Sequence, residues 1–188
     1  MVKIISLFRR NYDGDRLVRN EVVPGAEWVI AGEGVATRKW DGTCCLVRGG
    51  KLFKRYDVKK GRTAPDGFEP AQDPDTTTGH WPGWLPVGGG PEDAYHREAF
   101  KGTEMDGTYE LVGPKVKGNP EGFTGHVLIP HGQHLFAAPR TYAELKAWFS
   151  GPGRDIEGVV WWHADGRAVK IKAKDFGVSR STQKAPTP

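Results

Sequence analysis

The apolar positions of this chain fall in short runs that alternate with polar residues, so most of the pattern predicts strands rather than helices. Residues 3–8, 28–30 and 35–39 read as strands, the last two on either side of Gly32-Glu33-Gly34. Residues 44–48 and 51–55 flank Gly49-Gly50, a hairpin signal, because glycine adopts the positive φ that a two-residue turn needs. Residues 108–112 predict another strand, and 126–129 with 134–137 a strand pair around His131-Gly132. A last hairpin is expected from 156–162 and 168–172, turning at Asp165-Gly166. Helical spacing is clearest over 141–149, where Tyr142, Leu145 and Phe149 repeat and Thr141 with Glu144 forms a capping box. Residues 91–100 predict a short second helix. Between 61 and 91 the chain is rich in Pro, Gly, Asp and Thr without periodicity, which predicts a long loop; Trp81 and Trp84 imply that part of it docks.

The expected class is α+β: antiparallel β-sheets with flanking short helices, one domain over residues 1–178 and a frayed polar tail over 179–188. Of the 188 residues 37% are hydrophobic and 27% charged, enough for a core and incompatible with a wholly disordered chain. A net charge of +4 permits a polyanionic partner without requiring one. Cys44 and Cys45 are neighbours that point to opposite faces of a strand, so no ordinary disulfide and no zinc-type spacing is expected. That usage fits a reducing, cytoplasmic location. The apolar start is short and is followed by Arg9-Arg10, so no signal peptide is expected, and no run is long enough to cross a membrane.

Candidate chemistry begins at Lys39-Trp40-Asp41-Gly42. Alone, this four-residue run reads as a strand ending in an Asp-Gly turn, and such runs are common. Further on, Glu157 opens a β-forming run. In Val169-Lys170-Ile171-Lys172 the period of two puts both lysines on one face. The predicted hairpin sets the Glu157 strand beside that of the lysines. Tyr109-Glu110 and Arg55 lie on two further strands.

Taken jointly and in this order, the pieces resemble the covalent nucleotidyltransferase superfamily of polynucleotide ligases and capping enzymes. Its signature is Lys-x-Asp-Gly, an Arg-bearing strand, a Glu-bearing strand, a Glu-Gly-hydrophobic pair and a Lys-x-Lys strand. The run Lys39 to Cys45, the segment from Tyr109 to Pro114 with Gly118-Asn119-Pro120 behind it, and Leu128-Ile129-Pro130-His131-Gly132 are more narrowly similar to small cellular 5′-to-3′ RNA ligases. The resemblance covers roughly residues 35–177 and implies an adenylyltransferase (nucleotidyltransferase, ATP-grasp-like) ligase domain. Only residues 173–188 follow Lys172, too few for an OB-fold barrel, so no OB-fold domain, DNA ligase or capping enzyme is expected.

The resemblance implies ATP and Mg2+ (Mn2+ possible) as cofactors, and RNA with 5′-phosphate and 3′-hydroxyl ends as partner. A monomer without membrane contact is expected. Lys39 would carry AMP, with Asp41, Glu157, Lys170 and Lys172 as catalytic companions. A free lysine, with a pKa of about 10.4, is nearly all ammonium at neutral pH, and neighbouring cations favour the nucleophilic amine. Glu110 and Glu157 would hold magnesium, and Glu110 alternatively the ribose. Arg38, Gly42 and Arg55 would line the nucleotide site, with Tyr109 or Phe136 stacked on adenine. Asp41 would orient the lysine or a metal-bound water. His131 stands out among the six histidines because it lies in the resembling segment; surface or structural roles suit the others. Lys59, Lys60 and Arg62 form a basic cluster suited to phosphate contact. The rival functions are a nucleotidyltransferase with another acceptor (a guanylyltransferase or a protein AMPylator) and a catalytically silent domain that binds nucleotide or RNA ends.

Overall fold

The computed structural model describes residues 4–76 and 78–180. In chain order the elements are β1 (Ile5–Ser6), β2 (Phe8–Arg10), β3 (Val18–Val22), α1 (Glu27–Ile30), β4 (Val35–Lys39), β5 (Thr43–Arg48), β6 (Lys51–Val58), β7 (Glu69–Pro70), β8 (Trp81–Pro86), α2 (Ala94–Ala99), β9 (Gly107–Val112), β10 (Val127–Pro130), α3 (Tyr142–Ser150), β11 (Gly158–Trp162) and β12 (Ala168–Lys172). Short 3-10 turns cover Pro91–Asp93 and Ala173–Phe176. The class is α+β, with antiparallel pairing everywhere except between β1 and β12. Among the described residues no helix is long and apolar enough to cross a membrane.

The chain forms two compact units. One, the split unit, comprises Ile4–Trp40 and residues 132–180; the other, the inserted unit, is Asp41–His131. From residue 181 the expected tail lies outside the described residues.

In the split unit the sheet order is β1-β12-β11-β4. Strand alternation sends Ala36, Val159, Trp161, Val169 and Ile171 into a core shared with Leu7, Phe8, Val18, Leu145 and Phe149. Trp161, Phe149, Leu145 and Ile171 are wholly buried, and each such side chain contributes about 1.5–3 kcal/mol. The opposite face of the sheet carries Thr37, Lys39, Val160, Lys170 and Lys172. Helix α3 supplies Leu145 and Phe149 to the core. The Thr141 hydroxyl caps it by accepting the Glu144 N–H at 3.4 Å while donating to the Glu144 carboxylate at 2.7 Å.

The inserted unit is one antiparallel sheet in the order β10-β9-β5-β6-β8-β7. Gly49 and Gly50 turn the β5–β6 hairpin with φ of 57° and 68°, the geometry of a type I′ turn. Cys45, Val47, Leu52, Tyr109 and Leu111 form its core, and Cys44 and Cys45 are not disulfide-bonded.

Three expected elements differ. The predicted strand at 28–30 is the single helical turn α1, which buries Trp28 and Val29; a short apolar run fits either state, and the Glu27 carboxylate, accepting the Gly25 N–H at 2.8 Å, fixes the preceding bend. The loop expected over 61–91 contains β7 and β8. Trp84, 3% exposed, holds β8 against β6 through six paired residues despite Pro82 and Pro86. The strand expected at 134–137 reduces to an isolated bridge between Leu135 and Thr37, and His134 has a left-handed φ of 62°.

Candidate functional site

The split unit gathers the lysines around one carboxylate. Strand β11 lies between β12 and β4, and Gly158 pairs with Lys172 on one side and Lys39 on the other. A Cβ on Gly158 would sit 2.2 Å from the Ile171 carbonyl oxygen, so only glycine lets the strands approach this closely. Glu157, immediately before it, bridges the two neighbours. Its Oε2 lies 2.6 Å from the Lys39 Nζ and its Oε1 2.7 Å from the Lys172 Nζ. The Glu157 side chain is only 9% exposed. Burial pushes this carboxyl up, but the charges of Lys39 and Lys172 outweigh it and hold the group below the usual carboxylate range. Lys170 is pushed down to about 8 by burial and then by the charges of Lys172 and Lys39. Burial and Lys39 also lower Lys172, against the opposing pull of Glu157.

The framework around this cluster is cross-braced. The Lys172 backbone N–H donates to the Asp175 carboxylate at 3.0 Å, and Asp175 pairs with Arg10. The Thr37 hydroxyl donates to the Val160 carbonyl at 3.1 Å and accepts the Trp162 indole N–H at 2.9 Å. Arg38, next to Lys39, leaves β4 toward the other face, and its guanidinium lies 4.3 Å from the Trp40 ring. Phe136 is stacked on Trp148 at 5.7 Å and packs against the core.

The inserted unit holds the rest of the Lys-x-Asp-Gly turn. The Gly42 N–H donates to Glu110 Oε1 at 3.0 Å. A Cβ on Gly42 would lie 2.1 Å from the Leu111 carbonyl oxygen, so the turn lies flat against β9. Glu110 Oε2 is 2.9 Å from His131 Nε2, and His131 Nδ1 is 3.0 Å from the Thr108 hydroxyl. Asp41 is held by another loop: its N–H donates to Glu121 at 2.9 Å and its carboxylate meets Lys117 at 3.2 Å. Sequence reasoning assigned no role to Lys117, Glu121, Arg10 or Asp175.

Tyr109 is 6% exposed and its hydroxyl donates to the Met105 carbonyl at 2.7 Å, so its ring belongs to the core of this unit. Arg55 lies over Trp84 at 5.0 Å and lines a cleft of about 240 Å³ with Asp57, Gln72, Asp75, Thr78, His80 and Pro82. Lys59, Lys60 and Arg62 are exposed. His126 has structural partners: it contacts Glu98 at 2.9 Å, accepts the Lys115 N–H at 3.2 Å and stacks on Tyr95.

Among the described residues no group of three His, Cys, Asp or Glu side chains could hold a metal ion. Magnesium asks for fewer protein ligands, because it binds through one or two carboxylates completed by water and substrate phosphates. Glu157 and Glu110 each keep lone pairs beyond the contacts described.

Known proteins resemble this chain in sequence. Residues 99–185 match the family profile of RNA ligase 1. RNA ligase 1 of Rattus norvegicus is 26% identical over 220 residues, covering 77% of this chain and 67% of that protein. The Mus musculus protein gives the same figures, and that of Danio rerio is 36% identical over 83 residues, 39% of this chain and 25% of its own. The chain is thus similar to RNA ligase 1 proteins, at modest identity over most of its length and to the family profile over its C-terminal part.

Proposed function

We propose that the chain is an ATP-dependent RNA ligase that joins 5′-phosphate and 3′-hydroxyl ends through a lysyl-AMP on Lys39. The observation that carries this reading is Glu157 bridging Lys39 and Lys172 from two neighbouring strands, with Lys170 on the same face. Three ammonium groups around one carboxylate leave an excess of positive charge. The excess favours loss of a proton from Lys39, which yields the neutral amine. Its Nζ then forms a bond to the α-phosphorus of ATP as the bond to pyrophosphate breaks. Glu157 orients the amine. Lys170 and Lys172 offset negative charge on the phosphates, the dominant need in phosphoryl transfer. Glu157 in the split unit, or Glu110 in the inserted unit, is a carboxylate that would hold magnesium, and the ion would supply further charge neutralisation. Glu110, braced by His131, keeps the Gly42 turn in place. AMP next passes to the 5′-phosphate of one RNA end, and the 3′-hydroxyl of another displaces it to seal the strand.

Incubation with each α-labelled nucleotide and magnesium, followed by denaturation, tests the first step. Label from ATP on the wild-type chain and none on Lys39→Ala is the expected result. No label from ATP sinks the proposal, and label from GTP instead points to a guanylyltransferase. A chase with 5′-phosphorylated RNA should release the label into RNA; retention would exclude RNA as the acceptor.

A further inference from the structure

The loop that holds Asp41 is built more firmly than an ion pair on the surface requires. Between β9 and β10 it runs through Gly113-Pro114-Lys115-Val116-Lys117-Gly118-Asn119-Pro120-Glu121. Successive turns close it: the Val116 N–H donates to Gly113, the Asn119 N–H to Val116 and the Gly122 N–H to Asn119, at 3.0, 2.8 and 3.1 Å. The Asn119 side chain brackets Phe123, donating to its carbonyl at 2.9 Å and accepting its N–H at 3.0 Å. Val116, 8% exposed, anchors the loop in the core of the inserted unit.

At its tip, Lys117, Gly118 and Asn119 have φ of 47°, 75° and 56°, three left-handed residues in succession. Lysine is disfavoured there, because its Cβ crowds the following carbonyl. Such conformations persist where the surroundings impose them, and they cluster at ligand clamps. The visible return is one contact, Lys117 Nζ to Asp41 at 3.2 Å, with the lysine side chain 53% exposed. A pair that open to water adds little stability. Glu121, the loop's acid, accepts the Asp41 N–H, and the loop presents Lys117 and the exposed Lys115 to solvent.

We propose that Lys117 is a phosphate-binding residue, which the loop holds in a strained conformation so that its ammonium stands at the Lys-x-Asp-Gly turn. Asp41 retains it until a phosphate arrives, and the ammonium then exchanges a carboxylate oxygen for a phosphate oxygen. The phosphate belongs to the triphosphate of ATP or to the 5′ end of RNA. The inference rests on the ligase reading for those two sources.

Binding to the full chain carrying Lys39→Ala tests it without turnover. The probes are inorganic tripolyphosphate and a 5′-phosphorylated oligoribonucleotide compared with its 5′-hydroxyl counterpart. Lys117→Gly removes the ammonium yet suits the left-handed backbone, so its thermal midpoint should hold or rise. It should weaken tripolyphosphate binding, or the advantage of the 5′-phosphorylated strand, by about tenfold, as loss of a charge-assisted hydrogen bond does. The arm that falls identifies the source. Lys117→Arg should restore most of the loss. Lys117→Gly binding both probes within twofold of its parent overturns the proposal and leaves only a surface ion pair. If the wild-type chain takes no label from ATP while Lys117→Gly still loses tripolyphosphate, the ligase reading fails and the phosphate contact stands.

Discussion

Glu157, just before β11, and Lys170, on the neighbouring β12, are held in opposite electrostatic circumstances, and each makes stability depend on pH in its own way. The depressed Glu157 contributes stability above its unfolded pKa, lost as pH falls through the folded value. Lys170 works the other way. Below about pH 8 it is charged in folded and unfolded chains alike, and the folded chain bears the full penalty of burying it beside Lys172 and Lys39. Between about 8 and the ordinary lysine value of 10.5 the unfolded chain binds more protons, so raising the pH favours folding. The stability deficit of wild type against Lys170→Met should therefore shrink from pH 7.5 to 9.5, by up to about 3 kcal/mol over the full range. Chemical denaturation at several pH values checks this, and a constant difference would contradict it. Lys39, Glu157, Lys170 and Lys172 were legible in the sequence because residue type, order and strand period all agree. Lys117 was not: its partner Asp41 is 76 residues away, and a Lys-Gly-Asn run is ordinary loop composition.

Strands β4, β11 and β12 turn that local chemistry into geometry, and Gly158 is where they converge. Gly158→Ala would drive a Cβ into the Ile171 carbonyl and part β11 from β12. A cost of about 1–3 kcal/mol is expected, as for other overpacked sites. Glu157 would move relative to Lys39, so adenylylation should fall far more than stability does. Labelling rate and thermal midpoint measured together separate the two effects; full labelling by a destabilised variant would show that the spacing is not critical. At this scale the sequence was most readable where a pattern repeated, as in the two hairpins and α3. It was least readable where a few residues decide, as in α1 and around residues 134–137. Strand β8 was hidden because Pro82, Gly83 and Pro86 mask it, although its two tryptophans signalled docking.

At the scale of the molecule the chain forms two compact units with separate cores. Periodicity reports which faces are apolar, not which apolar faces share a core, so the division could not be read in advance. The α+β class and the antiparallel pairing could. Unit boundaries at Trp40 and His131 make the inserted unit continuous in sequence, while β4 must wait for β11, with Thr37 bonding Val160 across 123 positions. This spacing sets an order of events during synthesis. A ribosome that has just released residue 131 has delivered every strand of the inserted unit but not Glu157 or Lys172, and long-range pairing of this kind is slow to form. Pulse proteolysis of chains stalled near residue 150 should find the β5–β9 region protected and β4 open to cleavage. On the proposed function, Lys39 is thus made early and armed last, and a half-made chain that lacks Glu157 and Lys172 would not charge itself with AMP.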